Sequence, residues 1–232
     1  MRVLCMTVGL MIAAATARGA EMREMMVVAP EVGTILYGLS IPDGYARGTP
    51  RPLILALHPG GARTRYYGSA YAQLVVAPAA SKLGAIIVAP DCPWPSWTDA
   101  TAERAVLLLI DQVMAEYDVD RKRVLVTGFS MGGTGTWFMS ARHPDVFTAA
   151  IPMAASTAEP LQSLATMPTY VIHSRADQVV AFAPAARNVR ELELLGRTVK
   201  FDALTEPEHF DMREYIPALR RGISWITSRW PS

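Results

Sequence analysis

Residues 124–133 read Val124-Leu125-Val126-Thr127-Gly128-Phe129-Ser130-Met131-Gly132-Gly133, and their pattern indicates the fold of the whole chain. The apolar start predicts a strand buried on both faces, and the residues after Ser130 predict a helix. A strand, a G-x-S-x-G turn and a helix in direct succession make a tight, strained turn, which the small residues Gly128 and Gly132 permit. Ser130 is therefore expected to present its hydroxyl above the sheet, at the positive end of the helix.

Short apolar runs bounded by Pro and Gly alternate with helical patterns along the rest of the chain. Strands are predicted at 34–41, 52–58, 84–90, 123–128, 149–153, 168–173 and 198–204. Helices are predicted at 71–83, 100–117, 131–143, 182–195 and 212–229, with Pro78 a candidate break in the first. This alternation predicts an α/β fold with a mainly parallel central sheet and helices on both faces. No insertion is long enough for a large cap domain, so an open site is expected.

Composition and charge are those of a folded domain. The chain has 232 residues, of which 51% are hydrophobic and 19% charged, and residues 21–232 are interpreted as a single domain. The net charge of +1 provides no electrostatic basis for binding nucleic acid or an anionic membrane surface.

The N-terminus has the pattern of a signal peptide over about residues 1–20. Arg2 is followed by an apolar run, 3–15, and Ala15-Thr16-Ala17 has the small-x-small pattern of a cleavage site. Cleavage near residues 17–20 would give a secreted or periplasmic protein with no membrane segment in its mature form. An uncleaved anchor or a misassigned start remains open.

A serine nucleophile needs a base, and the chain has four histidines. His58 and His173 end predicted strands, and His143 ends a predicted helix, where a surface or capping role accounts for it. His209 lies in a late loop, between the last predicted strand and helix, and is the candidate base.

The acid is expected between serine and histidine, in the chain order that accompanies this motif. Asp177 follows a predicted strand and precedes a helix, where a loop can aim it at His209. Asp202 lies inside a strand, and Glu206 and Glu208 are so close to His209 that they would need a sharp local turn. Capping of the following segment is the alternative role for Asp177.

Backbone N–H groups are the candidates for stabilising a negatively charged intermediate. Met131 follows the nucleophile and should contribute one donor. Pro59 has no N–H, so the second donor should be Gly60 or Gly61 in the loop after the strand that ends at His58.

No metal or other cofactor is expected. The two cysteines, Cys5 and Cys92, form no C-x-x-C motif and no cluster with histidine. Cleavage of the signal peptide would leave Cys92 as a single thiol, either buried or reactive.

These motifs together resemble the α/β-hydrolase superfamily across nearly all of the mature segment. Local likeness extends to small secreted esterases related to polyhydroxybutyrate depolymerases, feruloyl or acetyl-xylan esterases, and predicted peptidases. Three stretches carry it: Ala89-Pro90-Asp91-Cys92-Pro93 with Trp97, Gly132-Gly133-Thr134-Gly135-Thr136-Trp137, and Arg142-His143-Pro144-Asp145-Val146-Phe147. The chain departs from the family at Pro59, where glycine is common, and before His209, where glycine is frequent.

Three tryptophans are candidate substrate contacts. Trp94 and Trp97 lie in a Pro-rich loop on the active-site side, and Trp137 follows the nucleophile on its helix. Their rings could stack on a sugar or an aromatic acyl group, or they could pack against the body of the protein.

The sequence therefore predicts a serine hydrolase that cleaves carboxylic esters through an acyl-enzyme formed on Ser130, with His209 and Asp177. The expected substrate is a small-molecule or polysaccharide-linked ester. A serine peptidase with the same triad and a catalytically silent binding protein on this fold are the alternatives. The oligomeric state is left open.

Overall fold

The structure, a computed structural model, describes residues 21–61, 64–93, 95–163 and 167–231. Through them runs an eight-stranded sheet in the order β1-β2-β4-β3-β5-β6-β7-β8. The strands are β1 (Arg23–Ala29), β2 (Gly33–Ser40), β3 (Arg51–Leu57), β4 (Ile86–Pro90), β5 (Val119–Phe129), β6 (Ala149–Met153), β7 (Thr169–Ser174) and β8 (Val199–Leu204). Strand β2 is antiparallel to β1 and β4, and the other pairs are parallel, which confirms the mainly parallel sheet. The predicted signal peptide lies outside the described residues.

Helices cover both faces of the sheet, as predicted. They are α1 (Tyr67–Tyr71), α2 (Ala77–Ala80), α3 (Ala100–Glu116), α4 (Met131–Arg142), α5 (Phe182–Leu194) and α6 (Ile216–Thr227). Single turns of 3₁₀-helix lie at Leu161–Ser163 and Met212–Tyr215.

The alternation of side chains along β3 explains the two hydrophobic layers. Ile54 and Ala56 point to the core shared with α1, α2 and α6. Leu53, Leu55 and Leu57 point to the opposite core, against α3 and α4. Because successive residues of a strand face opposite sides, a continuous apolar run can fill both cores.

Pro78 does not end the helical segment that starts at Tyr67. A π-helical turn, Ala72–Val76, joins α1 to α2, and the Ala77 N–H bonds to the carbonyl oxygen of Ala72, five residues back. Pro78 follows as the second residue of α2, directly after the π-helical turn.

Strand β1 has no counterpart in the sequence prediction. It lies at the edge of the sheet and pairs only with β2, and the outward side chains of Met26 and Val28 are exposed. An edge strand with partial burial does not give the clear apolar pattern on which strand prediction depends.

The parallel direction of the strands places the candidate functional residues at one end of the sheet, where the carboxyl ends of the strands lie. Strands β3, β5 and β7 are parallel and end beside the loop at His58, at Ser130 and before Asp177, respectively. Only residues 175–181 separate β7 from α5, so no cap domain is inserted there. The carboxyl ends of such strands are where open α/β sheets hold their sites.

Candidate active site

Ser130 occupies a strained turn at the junction of β5 and α4. Its φ of 55° and ψ of −116° lie outside the regions that a non-glycine residue ordinarily adopts. Its N–H donates to the carbonyl oxygen of Met153 on the neighbouring strand, at 2.9 Å. The turn places the hydroxyl at the N-terminus of α4, as the G-x-S-x-G motif predicts.

Glycines on either side of Ser130 allow β3 and the turn to touch. A Cβ atom on Gly132 would overlap the carbonyl oxygen of Leu57, and one on Gly128 would overlap the carbonyl oxygen of Gly132. Only hydrogen fits at these two positions, so their role is steric.

Ser130, His209 and Asp177 form one continuous chain of hydrogen bonds. The Ser130 hydroxyl lies 2.9 Å from Nε2 of His209, and Nδ1 of His209 lies 2.8 Å from Oδ2 of Asp177. Residues far apart in sequence are thus brought together in the order serine, histidine, aspartate. Of the four histidines, all within the described residues, only His209 reaches Ser130.

Asp177 is held so that one oxygen remains for His209. Its Oδ1 accepts the N–H groups of Val179 and Val180 at 2.9 and 2.8 Å, and its side chain is fully buried. The carboxylate therefore makes both the local turn bonds and the bond to His209.

The predicted oxyanion residues lie next to each other. A Cβ atom on Gly60 would be 3.8 Å from Cβ of Met131, an ordinary contact. A cleft of about 350 Å³ opens beside them, and its lining includes Gly60, Gly61, Tyr67, Cys92 and Met131. This position fits Gly60, Gly61 and Met131 as backbone donors to an oxyanion. That role stays a prediction.

His58 joins this loop to the body of the protein. Its Nδ1 donates to the Pro59 carbonyl oxygen at 2.6 Å, and its Nε2 accepts the Cys92 N–H at 2.9 Å. Burial lowers the pKa of His58, although the bond to Pro59 and the charge of Asp91 act in the opposite direction. A neutral ring is required here, because only an unprotonated Nε2 can accept a hydrogen bond.

The stacking roles considered for Trp97 and Trp137 are wrong. Both side chains are buried, at 1% and 0% exposure, so neither ring can meet a substrate. Trp97 packs in the core beneath the loop and donates from Nε1 to the His58 carbonyl oxygen at 2.9 Å. Trp137, on α4, lies in a buried cluster with Val189 and Leu192 of α5. Trp94 lies outside the described residues.

Two residues at the site were missed by sequence reasoning. Phe210 is 80% exposed, and its ring centre lies 5.4 Å from that of His209. Asp91 lines the cleft and accepts hydrogen bonds from the backbone of residues 66 and 68. The sequence did place Asp91 just after a buried strand, which marks it as a residue near the site. Its hydrogen-bond partners could not be predicted, because they lie more than 20 residues earlier in the chain.

The sheet order and the strand–turn–helix at Ser130 define an α/β-hydrolase fold. A solved structure of a thermostable esterase superposes with a TM-score of 0.78 at 25% identity, covering 90% of this chain and 63% of that one. The feruloyl esterase module from Clostridium thermocellum superposes with a TM-score of 0.71 at 14% identity, covering 89% of each chain, and it supports the fold alone.

Within this fold, the chain belongs to the PET hydrolase-like family, which it matches over residues 99–228. It is 31% identical over 133 residues to a probable acetylxylan esterase A of Aspergillus fumigatus, an alignment that covers 51% of this chain and 33% of the relative. It is 44% identical over 46 residues to poly(3-hydroxyalkanoate) depolymerase C of Paucimonas lemoignei, covering 20% of this chain and 11% of that protein. The chain thus spans about a third of the length of the first of these relatives.

Proposed function

We propose that this protein is a serine hydrolase that cleaves carboxylic esters through an acyl-enzyme intermediate. The single observation that carries the proposal is the continuous hydrogen-bond chain from Asp177 through His209 to the strained Ser130. Family membership and the names of the esterase relatives support the same chemistry.

In the first half-reaction, Ser130 Oγ attacks the ester carbonyl carbon while His209 Nε2 takes the hydroxyl proton. The resulting oxyanion is stabilised by the N–H of Met131 and an N–H of Gly60 or Gly61. The intermediate collapses as the C–O bond breaks, and His209 returns the proton to the departing alcohol.

In the second half-reaction, His209 takes a proton from water, which attacks the acyl-Ser130 carbonyl. Collapse releases the carboxylic acid and restores the serine hydroxyl with the proton held by His209. Asp177 holds the imidazole in the tautomer with a proton on Nδ1 and stabilises the imidazolium in both halves.

The open surroundings support esters of small molecules or of polysaccharides as substrates. The loop between β7 and α5 is short, and the cleft beside Gly60 is open to solvent. Phe210 and Val179 are exposed near His209 and Asp177, respectively, where they can contact the apolar part of a substrate.

Residues 21–232 are proposed to form one catalytic domain, because a single sheet and its two cores extend from β1 to α6. The signal-peptide pattern supports export to the periplasm or the medium. Within the described ranges, no helix has the length and apolar character needed to cross a membrane.

The test is hydrolysis of p-nitrophenyl acetate and butyrate by the wild type and by Ser130→Ala. The variant should lose at least about 10⁴-fold in kcat, because the nucleophile is gone. A fluorophosphonate probe should label the wild type at Ser130. As a matched control, Ser81→Ala removes an exposed hydroxyl that bonds to the Pro78 carbonyl oxygen, and it should keep the wild-type rate.

Hydrolysis that survives in Ser130→Ala would contradict the proposal. Matched ester and amide substrates separate esterase from peptidase: the esterase proposal requires a much higher kcat/KM for the ester. A wild type that neither labels nor hydrolyses any ester would favour a binding protein.

A further inference from the structure

The carboxylate of Asp91 caps a helix that belongs to another part of the chain. It accepts the N–H groups of Tyr66 and Gly68 at 2.6 and 2.8 Å, across sequence separations of 25 and 23 residues. These are the residues at the start of α1, whose own N-cap, Tyr66, makes no side-chain cap bond and has a left-handed φ of 59°. Asp91 therefore satisfies two backbone donors at a helix end that its own sequence does not cap.

Cys92, the residue after Asp91, binds His58, which precedes Gly60 and Gly61 in the chain. The Cys92 N–H donates to Nε2 of His58, and the His58 ring lies between Tyr67 and Trp97, with ring centres 4.7 and 5.0 Å away. Two consecutive residues, Asp91 and Cys92, thus bind the chain on either side of Gly60 and Gly61: Cys92 bonds to His58, and Asp91 bonds to Tyr66 and Gly68. We call this pair the 91–92 clamp.

The 91–92 clamp is itself fixed to the sheet. The Asp91 N–H donates to the carbonyl oxygen of Leu36 on β2 at 2.8 Å. Gly68 lies so close to the end of β4 that a Cβ atom there would overlap the Pro90 carbonyl oxygen. The start of α1 therefore packs directly against the end of β4 and is bonded to the Asp91 carboxylate.

We propose that Asp91 is a positioning residue that sets the place of the oxyanion glycines relative to Ser130. The inference rests on the proposed function, since it concerns the same reaction. Charge on the substrate oxygen develops in the transition state, so a displaced N–H lowers kcat more than it raises KM. A displacement of about 1 Å costs about 10²-fold in rate.

The test compares Asp91→Asn and Asp91→Ala with the wild type on p-nitrophenyl butyrate. Active sites are counted by the burst of p-nitrophenol or by fluorophosphonate labelling, so that unfolded protein does not enter kcat. The amide keeps one acceptor oxygen without the charge, and we expect kcat per site about 10-fold lower for Asn and about 100-fold lower for Ala, with KM within about two-fold. Binding of a trifluoromethyl ketone, which forms an oxyanion on Ser130, should weaken in parallel with kcat/KM.

Asp99→Asn is the matched control. Asp99 also follows β4, and its carboxylate caps α3 by accepting the Thr101 N–H at 2.8 Å. The variant should lose some thermal stability and keep kcat per site.

Two results overturn the inference: an unchanged kcat per site in Asp91→Asn, or a loss that falls wholly on KM. If Asp91→Ala does not fold, Asp91→Asn still tests the inference through its kcat per site and its KM. Failure of the proposed function looks different, because the wild type itself would then show neither burst nor turnover.

Discussion

The turn at Ser130 illustrates how local preference and packing can oppose each other at one residue. Gly132 is the second residue of α4, where alanine is intrinsically better than glycine by about 1 kcal/mol. Packing argues the other way, since a Cβ atom would overlap the Leu57 carbonyl oxygen, which is backbone and cannot rotate aside. The steric cost is larger, so glycine is required for the contact between β3 and α4.

We therefore predict that Gly132→Ala lowers the free energy of unfolding by about 3 kcal/mol or more, because β3 and α4 must separate to admit the methyl group. Urea unfolding followed by circular dichroism measures it. The rate of the proposed ester hydrolysis should fall as well, since the same separation moves Ser130.

Gly196→Ala is the control for this prediction. Gly196 follows α5 with a φ of 67° and no atom within 4 Å of an added Cβ, so only the backbone strain of about 1 kcal/mol applies. Equal losses in the two variants would show that steric overlap is not the cause.

At the scale of elements, Glu103 ties α3 to the C-terminal end of α4. Its Oε1 accepts from Arg142 Nε and His143 Nε2, both at 2.7 Å, and its side chain is 13% exposed. Burial alone would raise the pKa of Glu103, but the hydrogen bonds and charges of Arg142 and His143 hold it below its usual value. The helix that begins directly after Ser130 is thus anchored at its far end.

Glu103→Gln should lower the Tm by about 2–4 °C at pH 7, because the charge that binds Arg142 and His143 is lost. A folded-state pKa below the unfolded value means that this contribution is complete above about pH 4.3 and disappears as pH falls through the lower, folded pKa. The difference in Tm between variant and wild type should therefore shrink in strong acid.

The control lies on the same helix. Glu116 is exposed and its carboxylate bonds to the Gln112 amide, a neutral partner, so Glu116→Gln should leave the Tm nearly unchanged. A Glu103→Gln variant as stable as the wild type at pH 7 would show that the link between α3 and α4 adds no stability.

For the whole molecule, the free energy of unfolding is expected to fall in mild acid because two histidines are buried. His58 and His173 are 7% and 0% exposed, and Nε2 of His173 has no hydrogen-bond partner within the described residues. Burial lowers the pKa of both. The unfolded chain then binds more protons than the folded one below about pH 6.5, so the free energy of unfolding falls as pH drops through that window.

His173→Phe should reduce this dependence. The ring already packs edge-on against Phe182, and the variant removes one titrating group, worth at most about 1.4 kcal/mol per pH unit. Urea unfolding at pH 7.5, 6.5 and 5.5 gives the slopes. Parallel curves for variant and wild type would mean that His173 has the same pKa folded and unfolded.

The sequence by itself determined the features that depend on neighbouring residues. The turn at Ser130 follows from two glycines between a strand and a helix, because the sterics are local. The apolar runs predicted seven of the eight strands and the two-sided burial of the sheet, since alternation along a strand is also local. Chain order and elimination singled out His209 and Asp177, and the structure brings both to Ser130.

Only the tertiary structure decided what depends on distant segments. Trp97 was a candidate for the surface of the site and is buried beneath it, because what covers a side chain is set by the strands and helices around it. Asp91 caps a helix more than 20 residues away, and β1 exists as a strand only because β2 supplies its hydrogen bonds. Such contacts form when the chain has folded, and no local pattern in the sequence records them.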